Sequence, residues 1–236
     1  MARLCLCVNQ VARLRNMTKD REPDPAAVAI AAELGGVDGI VAQLRDDRSD
    51  ITDRDVLILK EIVQSHFNLA ISLNDELVKK AIKTLPDMVT LLPSAGGEVR
   101  SESLDVPANL EYVEDVTAAL RANNIVVSVL IDPDVQQIRA AARAEVDYVQ
   151  FNTTMLAQVE DLSTMAEQVE KLRSVAMAAN KLGLGVSAGR GLNYQNVREF
   201  EDLSFIEELN IGKAVIARSL LVGAERAVQE MKSLIS

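Results

Sequence analysis

The sequence predicts a single (β/α)8 TIM barrel with extra helices, taking in the whole chain, residues 1–236. Three observations predict it. Eight short, nearly continuous apolar runs each lead into a stretch of helical pattern, which is how parallel strands covered on their outer face read. The length of 236 residues suits a closed eight-fold barrel, which needs about 200 residues or more. Apolar residues make up 48% of the chain but aromatics only 3%, so the core must be aliphatic, and branched aliphatics are what a barrel interior uses.

Strand one is LCLCVN (Leu4–Asn9). DPAAVAIAAELGG (Asp24–Gly36) follows as a helix, with Asp24 as N-cap, Pro25 at the first helical position and Gly35–Gly36 as the stop. Strand two is GIVAQL (Gly39–Leu44), and the helix after it begins near ITDRDV, where Thr52 caps and Asp53 and Asp55 suit the positive end of the dipole. Strand three is FNLAISL (Phe67–Leu73), with a helix over Asn74–Thr84, and strand four is MVTLL (Met88–Leu92). A longer loop holding Gly96, Gly97 and Pro107 precedes a helix over Asn109–Asn124. Strand five is IVVSVLI (Ile125–Ile131), and DPDVQQIRAAARA continues as a helix through Ala144. Strand six is VDYVQFN (Val146–Asn152), followed by a long helix over Asp161–Leu182. Strand seven is LGVSAG (Leu184–Gly189), with a short helix over Asn193–Phe200, and strand eight is IEELNIG (Ile206–Gly212), after which helical sequence runs through Met231. An open doubly wound sheet is the alternative architecture, but no GxGxxG follows the first strand.

The net charge of −10 repels a nucleic-acid backbone and excludes that partner, while a local cluster of Arg and backbone amides still suits a phosphorylated small molecule. Two cysteines, Cys5 and Cys7, build no disulfide framework, and the simpler reading is a cytoplasmic chain. No apolar run approaches the roughly 20 residues of a membrane span, and neither a membrane partner nor a signal peptide is expected.

Active sites of such barrels lie at the C-terminal ends of the strands. There the glycine turns SAGRGL (Ser187–Leu192) and NIGKAV (Asn210–Val215) close strands seven and eight, where a phosphate is often held. Gly189, Gly191 and Gly212 let the backbone approach a phosphate, and Arg190 and Lys213 add charge. Two ordinary turns with solvated cations are the bland alternative. In LRDDRSDITDRD (Leu44–Asp55), Arg45 and Arg48 are spaced to face one ligand, with Asp46 and Asp47 as their partners; a charged, solvated loop explains the pattern equally well. Cys5, Cys7 and Asn9 share one strand face. A CxC without His or further Cys is read as core packing, so no metal and no cofactor are expected. His66, the only histidine, precedes strand three at the far end of the barrel and is read as structural.

The segments CVN, LRN (Leu14–Asn16), PDP (Pro23–Pro25), GVDGI (Gly36–Ile40), LRDDR (Leu44–Arg48), ITDRDV (Ile51–Val56), LDV (Leu104–Val106), AGRGLNYQNV (Ala188–Val197) and ELNIG (Glu208–Gly212) together resemble the pyridoxine 5′-phosphate synthase family of vitamin B6 biosynthesis, almost end to end. The resemblance implies a (β/α)8 barrel with additional helices, assembled as an octamer of one chain. It implies condensation of 3-amino-1-hydroxyacetone 1-phosphate with 1-deoxy-D-xylulose 5-phosphate, giving pyridoxine 5′-phosphate, inorganic phosphate and water. Asn9, Arg15, Arg45 and Arg48 match the family's substrate-contacting positions, and Gly189, Gly191 and Gly212 match its phosphate turns.

The family's proton-transfer groups are replaced. Its Asp-His pair after strand one is missing from QVARLRN. Its catalytic His on strand two is Gln43, its catalytic Glu on strand three is Ala70, its Glu and His on strand six are Gln150 and Asn152, and its catalytic His in the strand-seven turn is Arg190. Lys213 stands at a further His position. Gln, Asn and Ala exchange no protons near neutrality and Arg stays protonated. The sequence thus predicts a barrel that binds a phosphorylated small molecule with the standard condensation lost or altered, and that regulates or joins a genuine synthase. Altered sugar-phosphate chemistry through Asp46, Asp47, Glu98 or Lys213, and the ordinary synthase, are the alternatives.

Overall fold

A computed structural model of the protein describes residues 2–18, 20–94, 103–159, 161–200 and 203–235. Strands β1 (Arg3–Cys7), β2 (Gly39–Leu44), β3 (His66–Ser72), β4 (Met88–Leu92), β5 (Val126–Ile131), β6 (Tyr148–Asn152), β7 (Gly185–Gly189) and β8 (Glu208–Ile211) pair in parallel, each with the next, and β8 with β1, closing the barrel. Helices α2 (Pro25–Leu34), α3 (Asp53–Ile62), α4 (Asp75–Thr84), α5 (Leu110–Arg121), α6 (Val135–Arg143) and α7 (Leu162–Lys181) cover the outside.

Several helix starts follow from their side chains. Asp24 accepts from the Ala26 amide, and Pro25 opens α2. Thr52 and Asp55 form a reciprocal capping box on α3, and Asn74 and Asp161 cap α4 and α7. In α6 the cap is Asp134, whose side chain accepts from the Gln136 and Gln137 amides.

Other elements depart from expectation. Strand one ends at Cys7, and a helix α1 (Asn9–Thr18) occupies what reads in the sequence as a turn. Its sequence NQVARLRNMT is polar and buries only Asn9, Val11 and Ala12, so no apolar stripe advertises it. The C-terminal helical stretch is two helices, α8 (Lys213–Val222) and α9 (Ala224–Lys232), broken at Gly223 with φ 85°. The stretch from Asn193 to Phe200 holds a 3-10 turn only over Asn196–Phe200. The loop residues Gly96, Gly97 and Glu98 lie outside the described residues.

The aliphatic core is real, but it lies outside the barrel wall. Alternation sends Leu4, Leu6, Ile40, Phe67, Leu69, Ile71, Val127, Val129, Phe151 and Leu209 outward into one cluster with the helices. Register places the other parity inside: Cys5 opposite Gly39 and Asn210, Asn68 opposite Val41, Thr90 opposite Ala70 and Ser128, Gln150 opposite Leu130 and Ser187. The lumen is therefore largely polar, with only a small apolar layer of Cys5, Val41, Ala70, Leu92 and Leu130.

Candidate functional site

The C-terminal ends of the strands enclose a cavity of about 580 Å³. Cys7, Val41, Gln43, Ala70, Thr90, Leu92, Leu130, Gln150 and Asn210 form its floor and wall, and Asn9, Gln10, Arg13, Arg45, Asp50, Arg190, Gly191, Asn193, Gly212, Lys213 and Ala214 form its rim. Asn9, Gln43, Arg45, Ala70, Arg190, Gly191, Gly212 and Lys213 are thus brought together as the sequence suggests.

Asn9 is 4% exposed and pins β1 to β2: its Nδ2 donates to the Gln43 carbonyl at 2.8 Å, and its Oδ1 accepts from the Gln43 amide at 2.7 Å. The β7 turn is held from outside. Thr153 donates through its amide to the Gly189 carbonyl and through Oγ1 to the Arg190 carbonyl, and Asn196 Nδ2 donates to the Gly191 carbonyl. Gly189 ends β7 against Gln150 and Asn210 and does not itself line the cavity. Gly191 has φ 71°, where a Cβ is strained and meets the Thr154 Cα at 3.0 Å.

Gly212 stands ahead of α8 and offers no side-chain cap to its first-turn amides. Gly212, Lys213 and Ala214 line the cavity, so the positive end of α8 opens on it. A Cβ at Gly212 meets Gln10 Oε1 at 2.8 Å and Cys7 Cβ at 3.0 Å, which is the spatial reason for glycine there.

Two expected substrate-contacting arginines lie elsewhere. Arg15 grips Asp55 with both terminal nitrogens, at 2.7 and 2.8 Å, and ties α1 to the capping box of α3. Burial pushes the Asp55 carboxyl up, but Arg15 and Thr52 outweigh it and hold the group below the usual carboxylate range. Arg48 donates to the Arg45 and Asp46 carbonyls and to Glu76 Oε1 at 2.6 Å, folding the β2–α3 loop onto α4. Neither lines this cavity, whereas Arg45 does.

Nor are Asp46 and Asp47 the carboxylate partners of Arg45. Asp46 takes the Asn74 amide group and Asp47 accepts from the Ser49 amide. Arg45 Nε bonds Asp50 at 3.1 Å, and Arg13 reaches the same carboxylate through Nε and Nη2, both at 2.9 Å. Burial pushes the Asp50 carboxyl up, and the Arg13 and Arg45 guanidiniums overcome this and hold it low. Arg13 and Asp50 were not legible as site residues. Once α1 is known to start at Asn9, the spacing of Gln10 and Arg13 puts both on one helix face.

Cys5 packs in the lumen, as expected of it, whereas Cys7 reaches the cavity floor, where burial pushes its thiol up. Asn152 Nδ2 donates to Ser103 Oγ, away from the cavity. His66 begins β3, at the opposite end of the barrel. Among the described residues no group of three or more His, Cys, Asp or Glu is arranged to hold a metal ion, and no helix is long and apolar enough to cross a membrane.

The sequence matches the family described as Pyridoxal phosphate biosynthesis protein PdxJ over residues 4–236. It is 41% identical over 236 residues to a pyridoxine 5′-phosphate synthase of Geotalea uraniireducens, covering 100% of this chain and 99% of that protein. It is 42% identical over 237 residues to that of Syntrophobacter fumaroxidans, covering 100% of each. Among solved structures it is similar to KGPDC from Streptococcus mutans, with TM-score 0.68, 13% identity and coverage of 100% of this chain and 97% of that one. It is also similar to dimeric phosphoribosylanthranilate isomerase from Thermotoga maritima generated as monomers, with TM-score 0.61, 13% identity and coverage of 100% and 98%. Identities this low speak for the barrel fold alone.

Proposed function

The chain belongs to the PdxJ family of pyridoxal phosphate biosynthesis proteins, and we propose that it holds a phosphorylated small molecule at the barrel mouth without performing the condensation of 1-deoxy-D-xylulose 5-phosphate with 3-amino-1-hydroxyacetone 1-phosphate. The observation that carries the binding half is the uncapped N-terminus of α8 opening on a cavity rimmed by Lys213 and Arg190. Uncapped first-turn amides, the helix dipole and Lys213 make an anion site without further additions. The glycines at 191 and 212 keep side-chain carbon out of its approach.

The catalytic half rests on the lining. Among the described residues it holds neither His nor Glu, and its one carboxylate, Asp50, is kept ionised by two arginines. Gln43, Ala70 and Gln150 stand where proton transfer is expected, and each general acid or base is worth about 10²–10⁴-fold. The synthase reaction needs several. A second reading, a working synthase, is favoured by identities of 41 and 42% along the whole chain.

One experiment separates the two. The full chain is titrated calorimetrically with 1-deoxy-D-xylulose 5-phosphate, then incubated with both substrates and analysed for pyridoxine 5′-phosphate. Binding without turnover is the expected result; turnover at the rate of a relative with the His and Glu positions filled favours the synthase. The proposal extends to assembly as a homo-oligomer, supported by Met17 on α1 and Leu220 and Leu221 on α8, which are 77%, 73% and 78% exposed on helices that touch each other.

A further inference from the structure

We infer that Arg13, oriented by Asp50, recognises a carboxylate, and that the cavity's ligand is a small phosphorylated carboxylic acid. This rests on the phosphate site proposed above and adds a second pole to it.

The cations of the cavity are unevenly placed. Arg190, Lys213, Arg13 and Arg45 follow β7, β8, β1 and β2, four neighbours around the closed barrel. Among the described residues, the facing arc, from β3 to β6, contributes Ala70, Thr90, Leu92, Leu130, Gln150 and Ala157, none of them charged. In a chain of net charge −10, four cations on half a rim are a local construction. Lys213 and the α8 amides suffice for one phosphate, which leaves Arg13 and Arg45 to be matched.

Asp50 matches them in part. It is 2% exposed and takes two bonds from Arg13 and one from Arg45, so one buried carboxylate holds two guanidiniums together against their repulsion. The three side chains carry a formal charge of +1. No hydrogen bond among the described residues engages Arg13 Nη1 or either terminal nitrogen of Arg45, and the two side chains are 56% and 39% exposed. Planar guanidinium groups present paired donors that fit a carboxylate, and a residual charge of one suits a monoanion better than a second phosphate dianion. Asp50 acts here as a positioning residue, since its oxygens are taken by the arginines.

The test compares glycerol 3-phosphate with 3-phosphoglycerate, which share a phosphate ester and differ by a hydroxymethyl group against a carboxylate. Calorimetric titration of the full chain is expected to show 3-phosphoglycerate binding about tenfold tighter or more, the scale of one charge-assisted hydrogen bond. In Arg13→Gln the ratio of the two affinities is expected to fall toward one, and in Arg13→Lys to be partly retained. A ratio taken within each variant cancels any general loss of folding or of phosphate affinity. Binding of both ligands with no preference in the parent chain, or a preference unchanged in Arg13→Gln, overturns this inference and leaves the phosphate site standing. Binding of neither ligand overturns both.

Discussion

Asp50 accepts three hydrogen bonds from Arg13 and Arg45 while nearly inaccessible, and its pH behaviour follows from that. Its carboxyl, like that of Asp55 beside Arg15, is held below the ordinary value in the folded chain. A depressed folded value means that the unfolded chain takes up the proton first as pH falls. The stabilisation is complete above the unfolded value of about 3.9 and is lost as pH drops through the folded one. Thermal melting is expected to change little on this account from pH 7 to 5 and to fall steeply below about pH 4. Asp50→Asn should flatten part of the acid limb, and an unaltered acid limb contradicts the pairing. Arg15 offers a sharper contrast. Because it grips Asp55 rather than lining the cavity, Arg15→Gln is expected to lower stability by about 1–3 kcal/mol. Phosphate affinity should stay within about twofold, and a large loss of it would place Arg15 in the ligand site after all.

Among elements, α8 matters most to function and α1 was hardest to foresee. The amides of α8 reach the cavity only because Gly212 leaves room beside Gln10 and Cys7. Gly212→Ala is expected to weaken phosphate binding at least about tenfold, since the added methyl displaces a neighbour or the helix start itself. Unchanged affinity by titration counts against the helix terminus as the anion site. Thr52→Ala removes one half of the α3 capping box and should cost about 1 kcal/mol in chemical denaturation. The caps at Asp24 and Thr52 were legible because capping is local chemistry, written within three or four residues. Helix α1 was not, because its polar sequence carries no apolar stripe and its arginine anchors, Arg15 to Asp55 and Arg13 to Asp50, span 40 and 37 residues. With α1 unseen, Arg13 had no face to belong to, and the Arg45–Arg48 spacing looked like a pair when their partners, Asp50 and Glu76, pull them apart.

At the scale of the whole molecule, the eight strands and their closed order were readable from alternating apolar runs, because both faces of a parallel strand are buried. The same runs did not reveal which parity faces inward, so an aliphatic barrel interior was expected where the lumen holds Asn68, Thr90, Ser128, Gln150 and Asn210. The outer helices leave Leu220, Leu221 and Met17 uncovered. Light scattering is expected to report an assembly larger than one chain, and Leu220→Glu with Leu221→Glu to shift it toward monomer; a monomeric parent chain contradicts the assembly proposal. The central claim is that an anion-holding mouth persists in a cavity whose proton-transfer positions are filled by Gln43, Ala70, Gln150 and Arg190. Quantifying pyridoxine 5′-phosphate after prolonged incubation of both substrates with chain shown by titration to bind 1-deoxy-D-xylulose 5-phosphate tests it most directly. The account predicts product at or near the uncatalysed background; turnover matching a relative with the His and Glu positions filled contradicts it.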